Sequence, residues 1–147
     1  MSLLSKTTVR LALFCAVSLA AARTFATVDD AQAFALQAAE TYVKEGFQVR
    51  EDYWGGDLGA PEQKADKQQL FKGNEYWFWL GTEVEKAKIS VHIYDAEGKL
   101  VENDSWQKSH FAAAHVIPQT TGSYFIIVSV EESPEERTHW ALVYGFR

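Results

Sequence analysis

The sequence is almost free of cysteine: Cys15 is the single cysteine among its 147 residues, and it lies in a short apolar stretch near the N terminus. One cysteine cannot form an intramolecular disulfide, and residues 27–147 contain neither a thiol nucleophile nor a cysteine metal ligand. Proline is also scarce, with 3 residues. A hydrophobic share of 47% and a charged share of 23% exclude collagen-like and disordered classes and predict one ordinary folded domain.

Positive charge is in short supply as well. The chain has 14 lysines and arginines against 20 acidic residues, for a formal net charge of −6. Residues 1–26 hold three of the basic residues and no acid, so residues 27–147 carry 11 basic and 20 acidic residues and a net charge of −9. Such a surface repels phosphate backbones and anionic lipids, so we expect no nucleic-acid partner and no insertion into a membrane.

Residues 1–26 have the three-part layout of a secretory signal peptide. Lys6 and Arg10 precede an apolar stretch over 11–22, and small residues follow it. That stretch is shorter than the roughly 20 residues that a membrane-spanning helix needs. We predict cleavage after Ala26, with Ala22 as the alternative site and an uncleaved anchor as the alternative role. The mature domain, 27–147, is expected in the periplasm or outside the cell.

The spacing of apolar residues changes once along the chain. Over 28–45 it follows three- and four-residue steps, which predicts a helix that Thr27 caps and Gly46 ends. Beyond Gly46 the period becomes two, and short runs alternate with turns. The pattern predicts an all-β sandwich, jelly-roll-like, with the N-terminal helix packed on it.

Seven strands follow from this alternation. We predict them over 47–54, 68–71, 75–80, 89–94, 112–117, 123–130 and 139–146. Between them we predict turns at Gly55–Gly56–Asp57 and Asp95–Ala96–Glu97–Gly98, a loop over 58–66, a polar connection around Ser105 and Ser109, and a charged hairpin loop over 131–137.

Three of the predicted strands, 75–80, 123–130 and 139–146, are apolar on both faces. A sandwich buries only one face of each sheet, so something must cover the second face. We expect the helix to do so with Phe34, Ala38 and Tyr42, although a ligand or a partner protein could cover part of it.

Three short motifs are shared with a known family. They are Gly73–Phe78 (GNEYWF), Ile93–Leu100 (IYDAEGKL) and Thr121–Val128 (TGSYFIIV). In this order they resemble the strand and turn motifs of bacterial pre-peptidase C-terminal (PPC-like) domains, over about residues 64–146. The resemblance implies a small β-sandwich module of an exported bacterial protein, of a family linked to binding of calcium, polysaccharide or protein.

A weak calcium site is predicted near the second motif. Asp95, Glu97, Asn103 and Asp104 flank one hairpin and offer oxygen ligands, of which Ca²⁺ takes six to eight. The alternative is that Asp95 and Gly98 only form the turn. The four histidines lack zinc-site spacing, and no other cofactor is predicted.

No catalytic motif is present, and the sequence closeness of Asp104, Ser109 and His110 does not make a triad. We therefore predict a protein that is not an enzyme. Tyr53, Trp54 and Trp106 lie beside small polar residues in predicted loops, where aromatic rings can stack on sugars or anchor a protein partner. The alternative is that these rings seal the ends of the core.

Together these features predict an exported, non-catalytic binding or accessory module for a protein or polysaccharide of the cell envelope. The alternatives are a structural protein of envelope assembly without a small ligand, and a small hydrolase of unknown type.

Overall fold

The computed structural model describes residues 27–147, so the predicted signal peptide over 1–26 lies outside the described residues. Within residues 27–147, one helix, α1 (Val28–Lys44), precedes nine strands. They are β1 (Gln48–Val49), β2 (Trp54–Leu58), β3 (Gln63–Leu70), β4 (Tyr76–Gly81), β5 (Lys88–Asp95), β6 (Asp104–Lys108), β7 (Phe111–Val116), β8 (Gly122–Glu132) and β9 (Thr138–Phe146).

The strands form two antiparallel sheets. The large sheet has the order β1–β9–β4–β7–β6, with β2 also paired to β9, and the small sheet has the order β3–β8–β5. This confirms the predicted β-sandwich with one N-terminal helix. No helix within residues 27–147 is long and apolar enough to cross a membrane.

The helix begins and ends where the sequence predicts. The amide of Asp30 donates to Thr27 Oγ1 at 3.4 Å, and the amide of Thr27 donates to Asp30 Oδ2 at 2.9 Å, which completes a capping box. Beyond its end, Gly46 has a φ of 101°, a left-handed conformation that costs glycine little. These local signals fix both ends before any packing is considered.

The fold has three layers, with the large sheet in the middle. Along β4, Phe78 and Leu80 point into the core between the sheets, whereas Trp77 and Trp79 point towards the helix. Alternation along one strand thus supplies two separate cores. The helix-side core consists of Ala35, Ala39, Phe47, Trp77, Trp79, Ala113 and Val143.

The predicted cover of the second strand faces is therefore confirmed for β4 and β9, but it is wrong for β8. That strand lies in the small sheet, on the far side of the sandwich from the helix. Its outward residues Phe125 and Ile127 stay half-buried at the surface of the small sheet. Sequence alternation shows that a strand is apolar on both faces, but not which sheet it joins.

The predicted turn at Gly55–Gly56–Asp57 is wrong, because all three residues belong to β2 and pair with β9. A Cβ atom on Gly55 would lie 2.2 Å from Val28 Cγ1, and one on Gly56 would lie 3.5 Å from the Trp140 ring. The two glycines therefore leave room for the helix and a buried ring on opposite faces of a strand.

Two polar strands depart from the predictions. The predicted loop over 58–66 is wrong from Gln63 onwards, where β3 begins, and the predicted polar connection around Ser105 is strand β6. Both are edge strands with a partner on one side only, and edge strands commonly carry polar and charged residues. Strand β8 also extends to Glu132, into the predicted 131–137 loop.

Candidate binding groove

A groove lies at the end of the sandwich where β5 and β7 end and where β4 and β8 begin. We call it the end groove. Its volume is about 370 Å³, and two chain connections, 96–103 and 117–121, form its walls. The groove is lined by Asp95, Lys99, Leu100, Val101, Glu102, Asn103, Val116, Ile117, Pro118, Gln119, Thr120 and Tyr124.

The end groove carries two apolar side chains that are open to solvent, among polar and charged neighbours. Leu100 is 51% exposed and Ile117 is 48% exposed, and one stands on each wall. Phe71, which is 50% exposed, is at the same end of the sandwich, since the adjacent Leu70 pairs with Gly122 at the start of β8. Large exposed apolar side chains that gather at one end of a domain are typical of a contact surface.

One wall is fastened to the edge of β5. The Glu102 side chain is only 9% exposed, and its Oε1 lies 2.8 Å from His92 Nδ1. Its Oε2 accepts the amide hydrogen of Ile93 at 3.0 Å, and the amide of Val101 donates to the Ile93 carbonyl at 3.0 Å. A buried carboxylate with two partners holds this wall in one position.

The second wall is tied to the first and to the core. The amide of Ile117 donates to Asn103 Oδ1 at 2.8 Å, which links the two connections directly. The hydroxyl of Tyr124 donates to the Thr120 carbonyl at 2.6 Å from a ring that is 5% exposed. The groove is therefore preformed, and binding of a ligand would lose little conformational entropy in its walls.

Two members of the predicted calcium site, Asp95 and Asn103, line this groove, but their oxygens already have other partners. Asp95 Oδ1 accepts the amide hydrogens of Glu97 at 3.0 Å and Lys99 at 2.9 Å, and Gly98 has a φ of 82°. These are the contacts of the turn alternative. Between residues 27 and 147, no three His, Cys, Asp or Glu side chains are grouped to hold a metal ion. The calcium site stays a prediction that this geometry does not support.

The three predicted recognition rings are half-buried and pack against two different cores, Trp54 against the core between the sheets and Tyr53 and Trp106 against the helix-side core. The hydroxyl of Tyr53 donates to Asp29 Oδ1 at 3.0 Å, beside the helix. Trp54 stacks on Tyr144 with 5.5 Å between ring centroids, at the margin of the core between the sheets. None of the three lines the end groove.

Trp106 lies on β6, where its Nε1 donates to the Tyr42 hydroxyl at 2.9 Å. Burial raises the pKa of the Tyr42 hydroxyl, so the group stays protonated while it accepts this bond. Trp106 also borders a second cavity of about 240 Å³ between β5 and β6. A recognition role for the three rings stays a prediction.

Sequence reasoning missed a cluster around His115. Its Nε2 lies 3.0 Å from Glu75 Oε1, its Nδ1 lies 3.3 Å from Asp104 Oδ2, and its ring stacks on Trp77. Arg147 Nε lies 3.3 Å from Glu75 Oε2. These groups lie on or beside β4, β6 and β7, which are brought together by strand pairing between distant parts of the chain. The spacing of the residues in the sequence therefore does not predict the cluster.

The candidate triad residues are not joined in the fold. Asp104 contacts His115, whereas Ser109 Oγ donates to the Glu85 carbonyl at 3.1 Å. The ring of His110 packs against Phe34 with 5.0 Å between centroids. Asp104, Ser109 and His110 therefore do not form a catalytic triad with one another.

No protein-family model and no curated protein matches this chain. Among solved structures, it is similar to PliG of Aeromonas hydrophila, a periplasmic inhibitor of g-type lysozyme. That match has 12% identity, a TM-score of 0.47, and covers 70% of this chain and 90% of that one. PliG of Salmonella Typhimurium matches at 10% identity and a TM-score of 0.39, over 65% and 89% of the two chains.

A third similar structure is the Bacillus licheniformis lipase BlEst2 in its propeptide form, at 14% identity and a TM-score of 0.44. The match covers 64% of this chain and 21% of the lipase. Likeness at these scores does not transfer a function to this chain.

Proposed function

We propose that this protein is an exported, non-catalytic binding module whose end groove takes a segment of another cell-envelope protein. The observation that carries the proposal is the pair of exposed apolar side chains, Leu100 and Ile117, on opposite walls of a groove that is held in place. Apolar anchors at the centre of a contact, with polar groups around them, are the usual plan of a protein-binding site.

The geometry favours a protein over a polysaccharide as the ligand. Sugar-binding sites use aromatic rings whose faces are free to stack. Here Tyr53 and Trp106 are half-buried against the helix-side core, and Trp54 is stacked on Tyr144. The end groove offers aliphatic side chains beside polar and charged ones, a mixture that suits a peptide segment.

The proposed export rests on residues 1–26, whose layout is that of a secretory signal peptide. We place the mature protein in the periplasm or outside the cell. Membership of the PPC-like family is likewise our proposal. It is supported by Gly73 and Gly98, which stand in two of the three motifs and have φ values of 100° and 82°, as turns at those positions require.

The test is a comparison of matched variants of the full-length protein, produced in cells and recovered from the envelope fraction. Leu100→Asp and Ile117→Asp place a charge on each wall of the groove, and Val43→Asp makes the same change on a helix residue that is 51% exposed. We expect a co-purifying envelope protein to bind the two groove variants at least about tenfold more weakly, and Val43→Asp normally. Equal binding by all three variants, or retention of polysaccharide alone, would contradict the proposal.

A further inference from the structure

The two edges of the small sheet differ in whether their backbone groups have hydrogen-bond partners. The outer edge of β5 is occupied, because Ile93 exchanges backbone and side-chain bonds with Val101 and Glu102, and the Gln107 side chain donates to the Ile89 carbonyl. The outer edge of β3 has no strand beside it among residues 27–147. β3 is therefore the edge of the small sheet at which another strand could pair.

The register identifies which backbone groups of β3 are free. The amide of Val130 donates to the Glu62 carbonyl at 3.1 Å, and Glu62 immediately precedes β3. Along an antiparallel strand, the backbone N–H and C=O groups of successive residues point alternately to one side and to the other. Those of the even-numbered residues of β3 therefore bond to β8, and those of the odd-numbered residues point away from it. The outward N–H and C=O groups belong to Gln63, Ala65, Lys67 and Gln69, and all four residues are exposed. Such a row is a template for one more strand.

Charge favours a second copy of this chain as that strand. Residues 27–147 carry a net charge of −9, whereas β3 carries a net charge of +1 from Lys64, Asp66 and Lys67. Where two β3 strands meet, the contact therefore brings together segments that lack the acidic excess of the chain, and the opposite charges of lysine and aspartate can face each other. The long acidic stretches of the chain lie elsewhere.

One antiparallel register is self-complementary. With a twofold axis at Ala65, the smallest side chain of β3 meets itself, and Lys64 lies opposite Asp66 of the second copy, twice. Gln63 then lies opposite Lys67. Moving the axis by one residue to position 64 or 66 sets Lys64 against Lys64 or Asp66 against Asp66, and position 67 sets Lys67 against Lys67. Like charges that face each other across strands are destabilising.

The Asp66 carboxylate is only partly compensated by its neighbours. Among residues 27–147 its Oδ2 is buried without a hydrogen-bond partner, and its Oδ1 lies 4.0 Å from Lys64 Nζ of the same chain. Burial raises the pKa of this carboxyl, because the charged form is poorly solvated there. A lysine arriving from a second copy, on the same face of the extended sheet, would relieve that cost.

We propose that two copies of this protein associate through β3, antiparallel and with the axis at Ala65. The small sheets then join into one six-stranded sheet of the order β5–β8–β3–β3–β8–β5. This surface is separate from the end groove, so the association does not depend on the proposed function.

The first experiment measures the mass of the full-length protein, as recovered from cells, by light scattering and sedimentation over a wide concentration range. We expect the wild type to rise to the mass of two chains. Lys64→Asp and Asp66→Lys each create like-charge pairs at the axis, so each variant alone should stay at the mass of one chain. Mixed in equal amounts, they place aspartates opposite lysines throughout, so the two-chain mass should return.

Lys108→Asp is the control, because it makes the same charge change on the exposed edge strand β6 and should leave the two-chain mass intact. A wild type that keeps the mass of one chain throughout, or a Lys64→Asp variant that pairs with itself as the wild type does, would overturn the proposal. So would a failure of the mixture to form the two-chain species while both variants retain the wild-type circular dichroism spectrum.

Hydrogen exchange of the wild type provides a test without any variant. As concentration rises, the amides of Ala65 and Lys67 should become protected, while those of Lys64 and Asp66, which already face β8, should not change. A two-chain species in which Ala65 and Lys67 remain unprotected would place the contact elsewhere and would refute this register.

Discussion

Replacing Gly81 with alanine measures how closely the helix lies on the large sheet. A Cβ atom at Gly81 would lie 2.4 Å from the backbone nitrogen of Ala35 and 2.8 Å from the backbone carbonyl carbon of Phe34. Ordinary contacts with a Cβ atom begin at 3.4 Å. Both obstructing atoms belong to the helix backbone, so no side-chain rotation can relieve the clash. The helix must move outwards by about 1 Å, a gap that forfeits up to about half of the dispersion energy at each contact it opens.

Overpacking of this kind costs roughly 1–3 kcal/mol, and we expect about 3 kcal/mol here because the obstruction is rigid. For a domain of this size, that loss lowers the Tm by about 10 °C. Urea and thermal unfolding followed by circular dichroism would measure it. Gly122→Ala is the matched control, since no atom lies within 4 Å of its added methyl group, and we expect it to change stability by no more than about 0.5 kcal/mol. A Gly81→Ala protein as stable as this control would refute the described helix packing.

Two further predictions concern the start of the helix and an exposed ion pair. Thr27→Ala removes the hydroxyl that accepts the Asp30 amide hydrogen, and it should lower the free energy of unfolding in urea by about 1 kcal/mol. Thr27→Ser keeps the hydroxyl and should lower it little. Equal losses of stability in the two variants would show that the cap does not stabilise the helix. The Arg137 guanidinium, 3.2 Å from Asp57 Oδ2, lowers the pKa of that carboxyl below its ordinary value of 3.8. The Asp57–Arg137 pair contributes stability above pH 3.8 and loses it as the pH falls through the lowered pKa of Asp57. The difference in urea midpoint between the wild type and Arg137→Gln should therefore shrink in acid. A difference that stays constant with pH would contradict this.

Features encoded over a few neighbouring residues could be predicted from the sequence. The cap at Thr27 and the glycine at position 46 set the ends of α1 by local hydrogen bonding and backbone geometry. Trp77 and Trp79 alternate with Phe78, and this alone indicated that a second layer must cover the strand. In both cases the physical cause lies within a few residues of the effect.

Features that depend on a distant neighbour could not be predicted. The pair Gly55 and Gly56 is a common turn signal, yet here each glycine makes room for a group from another element, Val28 or Trp140. Only the end of β3 was predicted, as the strand over 68–71, and β6 was not predicted, because edge strands need no regular apolar face.

The end groove likewise has one part that could be predicted from the sequence and one part that could not. The wall at 95–100 contains the predicted turn, whose Asp95 and Gly98 behave as turn chemistry requires. The opposite wall, 117–121, leads into β8, and the pairing of Asp95 with Tyr124 between β5 and β8 brings it to the first wall. The groove therefore arises from sheet register, which single-sequence reasoning cannot supply.

The place of β9 in the chain has a consequence for the order of folding. This last strand pairs with β1, β2 and β4, and its Val143 is packed in the layer under the helix. The helix therefore has no finished surface to cover until β9 has joined the large sheet. Contacts between such distant segments make folding slow, on the order of milliseconds to seconds. The helix-side core is thus completed late, by the same strand that pairs with β1, β2 and β4.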